Sequence, residues 1–421
     1  MNEQLAFDKA VDQWVSAGLT EPVTWDQLLY ALPSVYPATV QESARRLSLS
    51  NKIRFTAERS LTPGATSFAL KLWCQGKLPT PHPQDSLWWF GDIALERVLA
   101  HIHQLVAHSD GVLLLGTPSL FHYLKAHSLG RSVLLLDKDC STIAEGHYRA
   151  LPCDVLTDAA TDEKFDVIVA DPPWYPSETR GFLIAALQRS KQGTRLLVSV
   201  PGAGTRPGVQ REWQELLLWA EGRGLRLLDY EARALPYISP LFERNALRAA
   251  GIDAYPEDWR RGDLAIFEFD GSAGADTFTT NGQRRWTEVR FGRVRLRIRA
   301  ESGNAWKSPQ LRTMVPGDIL PSVSRRDRRL KSVGAWTSGN RVFSCEGCFA
   351  FWNIAEAMSL GECPVARLCS AIGTDLDAQQ REEVGKVVER LKEIIVIEEQ
   401  EIEDWRTERN DNVVELPARQ I

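Results

Sequence analysis

Apolar and polar positions alternate in different ways along the chain. Near the start, Leu5, Ala10, Val11, Trp14 and Val15 recur at helical spacing. A second helix, capped by Thr24 or Asp26, is expected to run through Leu32, and a third from Thr39 to Leu47. Lys52 to Phe55 reads as a short strand. Three helices and a strand suggest a winged-helix-like module over residues 1–60, with Gln41, Arg45 and Arg46 on its recognition helix. Six basic residues against seven acidic ones there favour a protein-binding or packing module over a DNA reader. Residues 61–91 form a linker containing KLPTPHPQDS and end in the aromatic cluster Trp88-Trp89-Phe90.

From residue 92 the pattern becomes a regular alternation. Asp92 is expected to cap a helix to about His108 that carries Leu95, Val98, Leu99, Ile102, Leu105 and Val106 on one side. Short apolar runs follow at Gly111-VLLLG, Ser132-VLLLD, Phe165-DVIVAD, Thr194-RLLVSV, Leu225-RLLDY and Asp263-LAIFEF. Helical stretches are expected between them at 119–127, 142–149, 180–191 and 209–222. The alternation predicts an α/β domain over 92–270, with a mostly parallel sheet covered on both faces.

Around 270–282, GSAGADTFTTNGQ marks a boundary. Strict alternation then returns in Val289-Arg-Phe and Val294-Arg-Leu-Arg-Ile-Arg, a strand pair with one apolar and one arginine-lined face. This opens a basic β-rich domain over 281–372. An acidic amphipathic helix over 373–411 and a tail over 412–421 complete the chain. The helix runs from Leu376 to about Glu408, with Leu376, Val384, Val387, Val388, Leu391, Ile394 and Ile395 as its apolar stripe.

Charge sharpens this picture. The net formal charge of −5 excludes a uniformly basic coat protein but leaves room for local basic faces. Residues 281–335 hold 14 Lys and Arg against 4 Asp and Glu, while residues 375–411 hold 6 against 13. A length of 421 residues implies several domains, and 43% hydrophobic with 25% charged residues excludes a wholly disordered or fibrous chain. No apolar run approaches the ~18 residues of a membrane span, and the start MNEQLAFDKA lacks a secretory core. Seven cysteines are too few for a disulfide scaffold, so a cytoplasmic protein with reduced thiols and no membrane association is expected. The 14 tryptophans exceed ordinary usage, enough to serve stacking as well as core.

Ligands of open α/β sheets bind beyond the carboxyl ends of the strands, so the residues there are the candidates. The first strand is followed by Gly116-Thr-Pro-Ser119, and the second ends in Asp137, placed either to accept from a ribose diol or to sit in solvent. After the third comes Asp154, a candidate acceptor for an adenine amino group. The fourth is followed by Asp171-Pro172-Pro173-Trp174-Tyr175. Two prolines fix the backbone and leave a carbonyl near Pro172 rigidly aimed. That carbonyl and the Asp171 carboxylate make two acceptors around one amine nitrogen, which point its lone pair at an electrophile. Trp174 offers a flat apolar face to a planar ring, and the chemistry is positioning more than acid–base work.

Asp-Pro-Pro-aromatic after strand four resembles the amine-positioning motif of S-adenosylmethionine-dependent amino-methyltransferases. The likeness is closer to the N6-adenine-methyltransferase-like subfamily, which holds a ribosomal-RNA adenine methyltransferase and a lysine methyltransferase of a translation elongation factor. The subfamily shares the lead-in Trp88-Trp-Phe-Gly-Asp92, the loop Gly116-Thr-Pro-Ser-Leu120, the LLLDKD strand end, and Val-Ala-Asp-Pro-Pro-aromatic. The resemblance spans about 86–200. It implies a Rossmann-like class I methyltransferase domain that takes S-adenosylmethionine. It would place Gly116, Thr117 and Pro118 beside the cofactor, Asp137 on its ribose, and Asp171 to Trp174 on the target amine. Branched-polyamine synthases, which transfer an aminopropyl group, also combine a winged helix with an Asp-Pro-Pro motif. Their first-strand loop is rich in aspartates, whereas this one carries no acid.

Further candidates flank this motif. Tyr237 and Phe242 follow a strand and would wall the substrate pocket together with Tyr175, unless they belong to an ordinary crossover loop. Arg325, Arg326, Arg328 and Arg329 with nearby aromatics suit phosphates and bases, and make DNA or RNA a partner. The competing readings are a solvated arginine face or a dock for the acidic helix, which could also bind a protein partner. Cys345, Cys348, Cys363 and Cys369 are candidate zinc ligands, or else small buried residues. The expected activity is N-methylation of an exocyclic amine, adenine N6 of DNA or RNA. The alternatives are a protein lysine methyltransferase, a catalytically silent binding protein of the same fold, and a polyamine aminopropyltransferase.

Overall fold

The computed structural model describes residues 3–54, 67–106, 111–158, 161–272, 286–303 and 305–410. The chain forms two compact units. One comprises Met1–Pro79, Trp88–Ser239 and Ile252–Thr280, and the other Thr80–Leu87, Pro240–Gly251 and Asn281–Ile421.

The first unit begins with α1 (Glu3–Gly18), β1 (Val23–Thr24), α2 (Trp25–Ala31), α3 (Pro37–Arg46), β2 (Ile53–Arg54) and α4 (Phe68–Cys74). Thr24 caps α2 in a reciprocal box with Gln27. β1 and β2 pair in parallel. Phe55 and the residues to 66, where a wing would fall, lie outside the described residues. Arg46 on α3 pairs with Asp12 at 2.5 Å, so this arginine braces α1 against α3.

The larger part of this unit contains β3 (Trp89–Phe90), α5 (Asp92–Val106), β4 (Gly111–Leu115), α6 (Pro118–Ala126), β5 (Ser132–Asp137), β6 (Ile143–Glu145), β7 (Tyr148–Pro152), β8 (Phe165–Ala170), α7 (Pro176–Leu187), β9 (Ser190–Pro201), α8 (Val209–Glu221), β10 (Leu225–Ile238) and β11 (Arg261–Phe269). They make a nine-stranded sheet in the order β3-β10-β11-β9-β8-β4-β5-β7-β6. The five central strands β7 to β9 are parallel. The outer strands are antiparallel. This is a Rossmann-like α/β fold.

Alternate residues of each central strand enter opposite cores. Val112, Leu114, Val133, Leu135, Val167 and Val169 meet α5 and α6. Leu113, Leu115, Leu134, Leu136 and Ile168 meet α7 and α8. Burial on both faces explains the unbroken apolar runs.

Three local expectations are corrected. Residues 142–149 do not form a helix. They carry β6 and the start of β7, because Ile143, Tyr148 and Ala150 suit the sheet edge. The helix expected from Arg180 starts at Pro176 and stops at Leu187, and β9 begins already at Ser190. Asp92 does not cap its own helix. Its Oδ1 accepts from the Phe68 amide at 2.9 Å and from Ser67 Oγ at 3.3 Å, which secures the start of α4.

The second unit contains α9 (Leu241–Ala249), β12 (Trp286–Phe291), β13 (Val294–Arg299), β14 (Gln310–Thr313), β15 (Ala335–Thr337), β16 (Val342–Glu346), α10 (Cys348–Leu360), α11 (Pro364–Ile372) and α12 (Ala378–Asn410). Its antiparallel sheet runs β12-β13-β15-β16-β14. The predicted apolar stripe of α12 packs with α10 and the strands.

Here the arginine-lined face is largely consumed internally. Arg295 and Arg297 both reach Asp85 and Glu288 at 2.7–3.0 Å. Glu398 and Glu401 of α12 engage Arg341, the latter at 2.5 Å. Glu398 is fully buried and also accepts from Ser338 Oγ at 2.7 Å and the Gly339 amide at 2.6 Å. Removing the guanidinium strands a buried carboxylate, so Arg341→Ala is expected to lose about 3–5 kcal/mol of stability, measured as a loss of denaturant midpoint. A midpoint within 0.5 kcal/mol-equivalent of wild type, on the order of a surface substitution, contradicts this anchoring.

Candidate active site

The site is assembled where the parallel strands end. The Gly116 amide donates to the Leu136 carbonyl at 3.0 Å, and the Asp171 amide to the Leu115 carbonyl at 3.1 Å, so the loops after β4 and β8 are tied to the sheet. Gly116 holds φ +67°, and a Cβ there would stand 3.2 Å from the Phe182 ring. The left-handed backbone and the tight approach both demand glycine. Pro118 occupies the first turn of α6, where a missing N–H costs nothing. Between them, the Thr117 hydroxyl is buried without a hydrogen-bond partner among the described residues. Buried hydroxyls in that state are uncommon in native proteins.

Asp137 ends β5 and is buried, with its Oδ1 accepting from the Asp139 amide at 2.9 Å. That bond orients the carboxylate at the strand end. Asp154 is exposed after β7 and folds its own turn, accepting from the Leu156 amide at 3.0 Å. Its carboxylate therefore has a structural duty as well as access to solvent.

The diproline corner is rigid for identifiable reasons. The Pro173 carbonyl accepts from the Tyr175 amide at 2.7 Å and from Thr179 Oγ1 at 3.3 Å. Those bonds lock the entry to α7. No donor reaches the Pro172 carbonyl among the described residues. Tyr175 is partly exposed and lies under the Arg206 guanidinium, 5.6 Å from its ring centre.

Asp171 sits at the head of a directed chain of donors. The Trp174 indole N–H donates to Ser199 Oγ at 3.1 Å, Ser199 and the Tyr237 hydroxyl stand 2.5 Å apart, and Tyr237 donates to Asp171 Oδ1 at 2.6 Å. No arginine or lysine pairs with Asp171 among the described residues. Burial raises its pKa to about 7, and the Tyr237 and Ser199 hydroxyls oppose that rise by stabilising the anion. The side chain keeps partial access to solvent while its carboxylate is enclosed by neighbouring groups.

This chain of donors crosses three strands. Tyr237 lies on β10 and reaches Asp171 over β11, at the one position that has no side chain. A Cβ on Gly262 would fall 2.8 Å from Trp174 Cζ2, 3.2 Å from Tyr237 and 3.3 Å from Ser199 Oγ. Ser199 and Gly262 were not legible as site residues. A serine ending an apolar strand and a glycine starting one carry no motif. Tyr237, expected as a pocket wall, donates its hydroxyl to the Asp171 carboxylate.

The remaining candidates lie elsewhere. Phe242 is fully buried on α9 of the second unit and presents no ring face as a wall. Arg325 Nη2 donates to the Gln84 carbonyl at 2.5 Å, and Arg329 forks onto Asp327 at 2.6–2.9 Å. Arg326, Arg328 and Arg329 are exposed on the second unit. The zinc expectation is corrected: no group of three or more His, Cys, Asp or Glu residues among those described could hold a metal. Cys345 ends β16 and Cys348 opens α10, but Cys363 and Cys369 lie on the far side of that helix in sequence. Thirteen helical residues rise about 20 Å, far beyond a four-thiolate shell.

The sheet order β10-β11-β9-β8-β4-β5-β7, with loops gathered at the ends of the parallel strands, is that of an open α/β domain. Residues 82–215, about a third of the chain, match the N6-adenineMlase family, described as probable N6-adenine methyltransferase. No curated protein matches the sequence. Among solved structures, a branched-chain polyamine synthase mutein from Thermus thermophilus is similar at 13% identity and TM-score 0.48, over 67% of this chain and 95% of that one. The N-methyltransferase NodS from Bradyrhizobium japonicum is similar at 14% identity and TM-score 0.27, over 42% and 96%.

With a native Asp171 pKa near 7 against an ordinary 3.8 unfolded, the native state binds the extra proton between those values, so this residue's contribution falls as pH rises. Asp171→Asn is therefore expected to raise the thermal midpoint at pH 8, with the gain vanishing by about pH 4. A pH-independent difference would contradict a buried, titrating Asp171. Gly262→Ala is expected to displace Trp174, seen as a shift in tryptophan emission without loss of far-ultraviolet helical signal. An unchanged emission spectrum would show that the contact is not enforced.

Proposed function

We propose that the chain is an S-adenosylmethionine-dependent N-methyltransferase acting on an exocyclic amine, adenine N6 of DNA or RNA. The observation that carries this reading is the pairing, among the described residues, of a Pro172 carbonyl that no donor reaches with an Asp171 carboxylate held by hydroxyl groups. Gly116, Thr117 and Pro118 would border the cofactor and Asp137 would take its ribose; the buried, unpartnered Thr117 hydroxyl fits a polar ligand there. The cofactor supplies an electrophilic methyl group.

The chain's own residues do the rest. Asp171 and the Pro172 carbonyl accept the two N–H groups of the amine and turn its lone pair outward. Trp174 gives the base a stacking face. The Asp171 carboxylate also takes the proton that the nitrogen must shed, and a pKa near 7 suits that duty better than an ordinary carboxylate. A base in a duplex must be flipped out to reach such a site, so single strands and loops are the easier substrates. The exposed Arg326, Arg328 and Arg329 support a polyanionic partner. Among the described residues no helix is long and apolar enough to cross a membrane, and all seven cysteines are free.

The test is transfer of labelled methyl groups from S-adenosylmethionine to single-stranded oligoadenylate, a lysine-rich peptide and spermidine. Incorporation into oligoadenylate is expected, with kcat rising tenfold per pH unit up to about pH 7 and falling by about a hundredfold or more in Asp171→Asn. Tyr237→Phe removes a donor that stabilises the anion, so the rising limb should move to higher pH. Incorporation into the peptide or spermidine alone would overturn the adenine reading.

A further inference from the structure

The second unit carries a pair of thiols outside the site described above. Cys345 lies near the end of β16 and Cys348 is the first residue of α10, so their C-x-x-C spacing spans a strand-to-helix turn. Gly347 makes that turn at φ +58°, and a Cβ on it would stand 2.5 Å from the Lys307 carbonyl oxygen and 2.8 Å from that of Ser308. The turn therefore admits no side chain, and the neighbouring segment fixes its shape. Gly334 crowds Cys345 in the same way: a Cβ there would fall 2.5 Å from Cys345 Cβ.

These constraints bring the two sulfurs together. Cys348 Sγ lies 3.4 Å from the Cys345 carbonyl oxygen, and a side-chain hydrogen bond joins the two thiols. Cys348 is buried, Cys345 is half-buried, and neither is in a disulfide. Among the described residues no group of three or more His, Cys, Asp or Glu completes a metal shell around them. The pair borders a cavity of about 460 Å³ whose other walls include Arg299, Glu301, Lys307 and Glu346. That volume is of the size small ligands occupy.

The surroundings make the two thiols unequal. The hydrogen bond from Cys345 holds the Cys348 thiol below its ordinary pKa, with help from Arg299 and against burial and Glu301. The same bond and burial push Cys345 up. Lys307, the remaining charge beside the pair, is bound to Glu301. Cys348 also opens a 13-residue helix, whose N-terminus favours an anion. A thiolate beside a protonated partner is the arrangement of an attacking and a resolving sulfur.

We propose that Cys345 and Cys348 form a thiol–disulfide exchange site that takes a small-molecule disulfide, of the oxidised-glutathione class, in the adjoining cavity. Cys348, its proton lost to solvent, attacks one sulfur of that disulfide. The small molecule's S–S bond breaks, and the first thiolate leaves with the proton given up by Cys345. Cys345 then attacks Cys348 Sγ, and the second small thiolate leaves and takes a proton from solvent. Two protein thiols are oxidised to one disulfide, and one small disulfide is reduced to two thiols. None of these steps requires methyl transfer.

The test uses the full chain, incubated with oxidised glutathione near neutral pH, quenched with iodoacetamide, and digested first with trypsin and then with a protease that cuts after glutamate. Cleavage after Glu346 separates the two cysteines, so a bridge between them appears in the mass spectrum as two joined fragments that part on reduction. That bridge is expected in the wild type, reversed by dithiothreitol, with the far-ultraviolet helical signal unchanged. Cys345→Ser should retain glutathione on Cys348 as a stable mixed disulfide. Cys348→Ser should capture it on Cys345 about tenfold more slowly. Cys363→Ser, which removes an exposed thiol, should leave the bridge intact. Carbamidomethylated Cys345 and Cys348 after oxidation of the wild type, a bridge formed only in denaturant, or faster capture by Cys345 than by Cys348 would overturn the proposal. The wild-type bridge carries the test if a serine variant fails to fold.

Discussion

A carboxylate at the end of a buried strand must be given hydrogen bonds or lose its charge. Asp171 is such a group: burial pushes its pKa up to about 7, and two hydroxyls oppose that rise. Its supporting hydroxyls come from β9 and β10, not from neighbouring loop residues. Tyr237 reaches it only because β11 passes beneath with a glycine at the crossing point. Two antiparallel strands added to a parallel sheet thus have a chemical consequence. They bring a phenol across to the carboxylate, with which no arginine or lysine pairs among the described residues. An arginine in that position would have held the acid far below neutrality and occupied the oxygens that an amine needs.

The same arrangement explains why the site is stiff. The Gly116 loop is hydrogen-bonded to β5, the Asp171 amide to β4, and the Pro173 carbonyl to the first turn of α7. A catalyst that works by holding one nitrogen between two acceptors gains rate only if those acceptors do not move. The two prolines remove backbone freedom, and the strand ends remove the rest. Trp174 is fixed at its indole N–H by Ser199 and crowded by Gly262, so its ring orientation is decided by β9 and β11.

Much of this was readable from residue patterns, for clear physical reasons. Strands buried on both faces advertise themselves as apolar runs, which is why β4, β5, β8, β9 and β11 were all located. Asp171-Pro-Pro-Trp was visible because chemistry and backbone constraint coincide within a few adjacent residues. What could not be read depends on contacts distant in sequence. Nothing adjacent to Ser199 or Gly262 hints that they gather around Trp174 and Tyr237. Asp92 looked like a helix cap because such a residue before an apolar run usually is one, yet a tertiary partner, the Phe68 amide, claims it. The four cysteines had nearly the spacing of a zinc site, but a long helix separates the pairs. The alternation of β13 marked an arginine-lined face, but it could not show that Asp85 and Glu288 meet Arg295 and Arg297 there.

The ionisation of Asp171 is the point at which the account is most exposed. Selective ¹³C labelling of aspartate carboxyls, with the Asp171→Asn spectrum to assign the resonance, allows that one group to be titrated by NMR. A midpoint near pH 7 in the ligand-free protein, moving upward in Tyr237→Phe, is the predicted result. A midpoint in the ordinary carboxylate range near 4, unmoved by loss of the phenol, would contradict it.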